Sequence, residues 1–149
     1  MKFYIINGPN LNMLGIREPT HYGRTTYADL CEMIKAYCDK MGIEAVLYQS
    51  NHEGDLVDKI QEAYFEGADG IVINPGAYTH TSIALLDAVK STSLPTVEIH
   101  ISAVETREAF RQVSFIREAC IETITGEGVN GYLHGIDDLY GYLRKEKNA

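Results

Sequence analysis

The sequence predicts an α/β fold: a flavodoxin-like, doubly wound, five-stranded parallel sheet in a single domain, residues 1–149. Three observations predict it. Strand-like and helix-like patterns alternate along the chain. The apolar runs at 3–6 and 71–73 are short and continuous, as in a sheet covered on both faces. Each run leads straight into a polar loop, Asn7-Gly8-Pro9-Asn10-Leu11-Asn12 and Asn74-Pro75-Gly76-Ala77-Tyr78-Thr79-His80. Open parallel sheets bind ligands just beyond the carboxyl ends of their strands, so these loops mark a candidate site.

Residues 2–6 read as the first strand. Residues 25–41 read as a helix, because Tyr27, Leu30, Cys31, Ile34, Cys38 and Met41 recur at helical spacing. Thr26 and Asp29 have the spacing of a capping box, and Gly42 ends the helix. A second strand follows at 45–48. The helix at 55–65 turns Leu56, Ile60, Ala63 and Tyr64 inward and closes at Gly67. Residues 70–73 form the third strand. A helix at 82–90 follows, with Thr79, Thr81 and Ser82 each able to cap it. Pro95 precedes a strand at 96–101. A short helix is expected at 105–110, a last strand at 119–125 and a last helix at 129–144. Residues 11–24 fit no period. With Gly15, Pro19 and Gly23, a loop of that length reads as an active-site lid.

Composition narrows the function. A chain of 149 residues, 45% hydrophobic, can bury a sizeable core. No apolar run approaches the roughly 20 residues of a membrane span. The N-terminus turns polar too soon for a signal peptide, so a cytoplasmic protein is expected. A net charge of −8 argues against a nucleic-acid partner. It still allows an anionic small molecule in a locally positive pocket. Cys31, Cys38 and Cys120 are an odd set without metal spacing and read as free, buried thiols.

The predicted lid carries Arg17, His21, Tyr22 and Arg24 between glycines. A nearby guanidinium favours phenolate, so Arg17 can turn Tyr22 into a general base. A solvated loop with surface arginines is the plainer alternative. In the strand at 96–101, alternation puts Val97, Ile99 and Ile101 on one face, Glu98 and His100 on the other. Under a doubly covered sheet, Glu98 and His100 are buried neighbours that must satisfy each other. The carboxylate orients the imidazole and favours its charged form, which prepares a proton donor. A purely structural pair is the alternative. His80, near a helix N-terminus, is expected to be neutral and to bind ligand.

Gly126-Glu127-Gly128-Val129-Asn130-Gly131 matches a dinucleotide fingerprint, but a single helix follows it, so it reads as a turn. No lysine falls at the carboxyl end of a predicted strand, which leaves no candidate for a Schiff base. No cluster of His, Cys and Asp suggests a metal. The expected chemistry is acid–base catalysis with no cofactor.

Five motifs in order, over about residues 4–115, resemble the type II 3-dehydroquinate dehydratases. They are Asn7-Gly8-Pro9-Asn10-Leu11-Asn12, Gly15-x-Arg17-Glu18-Pro19-x-x-Tyr22-Gly23, Gln49-Ser50-Asn51-His52-Glu53-Gly54, residues 74–82 and Glu98-Ile99-His100-Ile101-Ser102. The resemblance implies reversible dehydration of 3-dehydroquinate to 3-dehydroshikimate, in the shikimate or quinate pathway. It assigns Tyr22 as the base that removes a proton next to the ketone, with Arg17 keeping it ionised. Asn10 then helps to stabilise an enolate, and His100, oriented by Glu98, protonates the departing hydroxyl. The substrate carboxylate falls to the amides of Ile101 and Ser102, with Asn74 nearby. Ring hydroxyls fall to His80, Arg111 and, from a neighbouring subunit, Asp87. It also implies a dodecamer built from trimers.

The chain departs from the family pattern at Ala103, at Glu105 and in the turn Gly126-Glu127-Gly128. Two other readings use the same pocket differently. A non-catalytic sensor of a cyclic polyol acid would bind without turnover, and it needs no base. A flavodoxin-like FMN protein would be yellow, but a hydroxyl-rich phosphate loop after the first strand is missing.

Overall fold

The computed structural model describes residues 1–16, 20 and 24–148. Five strands form one parallel sheet: β1 (Lys2–Asn7), β2 (Glu44–Gln49), β3 (Gly70–Asn74), β4 (Thr96–His100) and β5 (Glu122–Thr125). Their order is β2-β1-β3-β4-β5, the doubly wound arrangement that the alternation predicts. β3 and β4 are buried along their whole length, which explains their unbroken apolar character.

Among the described residues, four helices cover the sheet: α1 (Tyr27–Met41), α2 (Glu53–Phe65), α3 (Ile83–Thr92) and α4 (Asn130–Lys147). Phe3, Ile5, Val72, Val97 and Ile99 face α1 and α4, meeting Leu30, Ile34, Tyr132, Ile136 and Leu139. Tyr4, Ile6, Ile71 and Ile73 face α2 and α3, meeting Leu56, Ile60, Leu85 and Val89. Period two in the strands and period 3.6 in the helices therefore divide one apolar set between two layers.

Local signals set the helix ends. Thr26 caps α1 through Asp29 N, Asp29 returns the bond to Thr26 N, and Gly42 closes it at φ 72°. Of the three candidate caps before α3, Ser82 is used, accepting from Leu85 N at 3.0 Å.

Four expectations are corrected. Tyr64 points out, 55% exposed and edge-on to Phe65 with ring centroids 5.3 Å apart, because it sits at the margin of the apolar stripe. No helix spans 105–110; two 3-10 turns, Val104–Thr106 and Ala109–Gln112, stand there. That segment has no apolar stripe to bury, and Phe110 is 61% exposed. The last strand starts at Glu122, after a 3-10 turn at Ile116–Ala119. Of the three thiols, which are all unbridged, Cys38 alone is buried. None of the described helices is long and apolar enough to cross a membrane.

Candidate active site

The two polar loops meet because two residues allow it. Gly8 N donates to Asn74 O at 2.8 Å, and a Cβ on Gly8 would lie 2.5 Å from the Pro75 carbonyl oxygen. Only glycine permits that approach. Asn10 takes the left-handed conformation at φ 69°, a region open to asparagine but costly for most residues. The loop after β2 holds it there: Asn51 Oδ1 accepts from Asn10 N at 3.0 Å, and Gln49 Nε2 donates to Gly8 O at 3.1 Å.

Below the loops lies a buried polar chain. Tyr132 OH donates to Asn7 Oδ1 at 2.5 Å and accepts from Asn74 Nδ2 at 3.0 Å. Asn74 Oδ1 accepts from Gly76 N at 3.1 Å, starting the 3-10 turn Gly76–His80. Asn74 is thus the joint between core and loop.

Beyond the carboxyl ends of β1, β3 and β4 opens a cavity of about 150 Å³. Asn10, Asn74, His80, His100, Ile101, Ser102 and Arg111 all line it, with Leu11, Leu14 and Val104 as apolar wall. Seven residues expected at the site are therefore brought together. Glu98 sits behind His100, fully buried, and accepts a hydrogen bond from its Nε2. Of the other expected residues, one is described and is not in the lining. Asp87 is exposed on α3. Arg17 and Tyr22 lie outside the described residues, as does most of the predicted lid.

Burial pushes the Glu98 carboxyl up. The hydrogen bond and charge of His100, the Arg117 guanidinium and the Ser114 hydroxyl outweigh it and hold the group below the ordinary carboxylate range. Glu98 is thus an anion facing an imidazole. The other ring nitrogen of His100, Nδ1, has no hydrogen-bond partner among the described residues. His80 donates from Nδ1 to Val113 O at 2.6 Å. Burial, with the neighbouring His100 and Arg111, lowers its pKa, so it is neutral at physiological pH. The cause is desolvation, not the helix terminus that the sequence suggested.

Two features escaped the sequence reading. Arg107 lines the cavity with a side chain only 9% exposed, donating from Nη1 to Ser102 Oγ at 3.2 Å. Its spacing from Arg111, four residues, was the available signal. The other is what the turn Gly126-Glu127-Gly128 holds, since the sequence reads it as a turn and no more. Gly126 N donates to His100 O and Ser102 O at 3.3 and 3.2 Å, and Gly128 N to Ile101 O at 3.1 Å. The turn spends its amides holding residues 100–102 in place, and the positive φ of Gly126 and Gly128 makes this possible. Ala103 packs under it, 3.1 Å from where a Gly126 Cβ would stand. Glu105 accepts from Thr125 Oγ1 at 3.3 Å.

Together these groups make a polar, positively lined cavity with one imidazole backed by a carboxylate. It suits an anionic guest and a proton transfer. Comparisons with known proteins agree. The family model "Dehydroquinase class II" matches residues 1–140. A 3-dehydroquinate dehydratase of Clostridium acetobutylicum is 54% identical over 145 residues, covering 97% of this chain and 100% of that one. The crystal structure of a type II dehydroquinase from Butyrivibrio crossotus superposes with a TM-score of 0.93 at 55% identity, covering 94% of this chain and 97% of that one. One from Propionibacterium acnes gives 0.88 at 34% identity, covering 96% of each.

Proposed function

Because the chain belongs to the dehydroquinase class II family, we propose that it removes water from 3-dehydroquinate to give 3-dehydroshikimate by acid–base catalysis through an enolate. The observation that carries this is His100. Its Nε2 is tied to a buried carboxylate and its Nδ1 is left for the guest at the cavity. An ionised Glu98 supports the imidazolium, and the imidazolium donates from Nδ1.

Tyr22, kept as phenolate by Arg17, takes the proton next to the ketone. The C–H electron pair becomes an enolate, which Asn10 helps to stabilise. The enolate expels the β-hydroxyl as His100 protonates it, so one water leaves and no redox partner is needed. The amides of Ile101 and Ser102, near Asn74, hold the substrate carboxylate, while His80 and Arg111 meet ring hydroxyls. No lysine is among the described lining residues, in keeping with a route that needs no Schiff base.

The whole chain, 1–149, is one catalytic domain with a lid at about 11–24. It acts in the cytoplasm, in the shikimate pathway or in quinate breakdown. Asp87 serves a neighbouring subunit's cavity in a dodecamer built from trimers. Ile83, 55% exposed and one turn from Asp87 on α3, supplies apolar surface for such a contact. The test is to add 3-dehydroquinate and follow ultraviolet absorbance of the conjugated enone. Steady growth of that band, with no lysine adduct after borohydride, is expected. Binding without turnover would favour a sensor instead.

A further inference from the structure

The Glu98 carboxylate is held by more than its histidine. Oε2 accepts from Ser114 Oγ at 2.9 Å and from Arg117 Nη2 at 3.5 Å, and Oε1 accepts from Thr123 Oγ1 at 3.1 Å. These donors come from three places: the segment before the turn Ile116–Ala119, that turn itself, and β5. Glu98 is fully buried, while the Arg117 side chain is 46% exposed. A buried carboxylate without such donors would be strongly destabilised. Each filled lone-pair position also removes a way for the group to rotate.

We propose that Ser114, Arg117 and Thr123 are positioning residues for His100, acting through Glu98. They pin both carboxylate oxygens, leaving the group one direction to face, toward the imidazole. Arg117 and Ser114 also help to keep it anionic, so that it accepts from Nε2 and supports the charged ring. A neutral Glu98 would give the imidazolium no counter-charge. The other titratable groups that feel Glu98 are His80, on the cavity side, and Cys120, on the segment ahead of β5. Neither is within the hydrogen-bond set of the carboxylate among the described residues.

The kinetic part of this inference rests on the dehydratase reading; the structural part does not. The experiment therefore reads both, on the full chain, in Arg117→Gln, Thr123→Val, Ser114→Ala and the conservative Arg117→Lys. Proton NMR follows the low-field Nε2–H signal of His100. The wild-type signal is expected to be sharp and slow to exchange, to broaden or move upfield in the first three variants, and to recover in Arg117→Lys. In parallel, kcat is expected to fall about tenfold with KM within about twofold, and thermal melting reports that each variant is folded. An unchanged Nε2–H signal in folded Arg117→Gln and Thr123→Val overturns the proposal. If the wild type fails to turn over 3-dehydroquinate while the signal responds as stated, the dehydratase reading falls and the positioning role stands.

Discussion

Tyr132 on α4 accepts a hydrogen bond from Asn74 Nδ2 at 3.0 Å, across 58 positions of sequence. The bond ties the last helix to the loop that shapes the cavity. The hydroxyl is fully buried and also donates to Asn7. Tyr132→Phe keeps the ring and removes the hydroxyl that bridges the side chains of Asn7 and Asn74. It leaves buried amide atoms unpaired, and urea denaturation should show a loss of about 1–3 kcal/mol. No loss would mean that the chain of bonds contributes nothing to stability.

Gly8→Ala is the sharpest backbone test. Its Cβ would lie 2.5 Å from the Pro75 oxygen, and nothing flexible is in the way to yield. The two site loops must part. Stability should drop by about 2 kcal/mol and kcat should fall as the cavity opens. A variant with wild-type melting and turnover would show that the loops tolerate separation.

His134 supplies a pH dependence away from the cavity. The hydrogen bond with Glu127, aided by Asp138 and Glu122, raises its pKa above the ordinary 6.5. A raised histidine pKa stabilises the fold fully below the unfolded value. That contribution is lost as pH rises through the folded value. The residue is largely exposed, so the effect is small and salt-sensitive. Melting temperatures of wild type and His134→Gln should converge as pH rises from about 6 to about 9. A gap that widens with pH would contradict the sign.

Burial pushes the Cys38 thiol up to about 11 and raises that of Cys120 as well. Both are thiols at neutral pH, not thiolates. A disulfide reagent should label them slowly in the native protein and promptly after unfolding. Fast native labelling of Cys38, which is 0% exposed, would mean that the α1–sheet interface opens readily.

Much of this architecture was legible from local pattern. Thr26 with Asp29, Gly42, the runs at β1 and β3, and the Glu98–His100 alternation are short-range signals whose physics is local. What was not legible depends on tertiary company. Arg107 joins the cavity next to the Val104–Thr106 turn, and its four-residue spacing from Arg111 hints at a shared face without saying that the face is the cavity's. The segment at Gly126 reads as a turn in the sequence and is one; where its amides point follows from β5 lying next to β4. Tyr64 was misread because a stripe margin cannot be separated from its centre by periodicity alone.

The central claim is that His100 donates the proton that releases water while a lid phenol, Tyr22, removes the one on carbon. The direct measurement compares kcat on 3-dehydroquinate for wild type, His100→Asn and Tyr22→Phe, each verified as folded. Both variants should lose at least about a hundredfold in kcat with KM little changed. Near wild-type turnover in either variant contradicts the account.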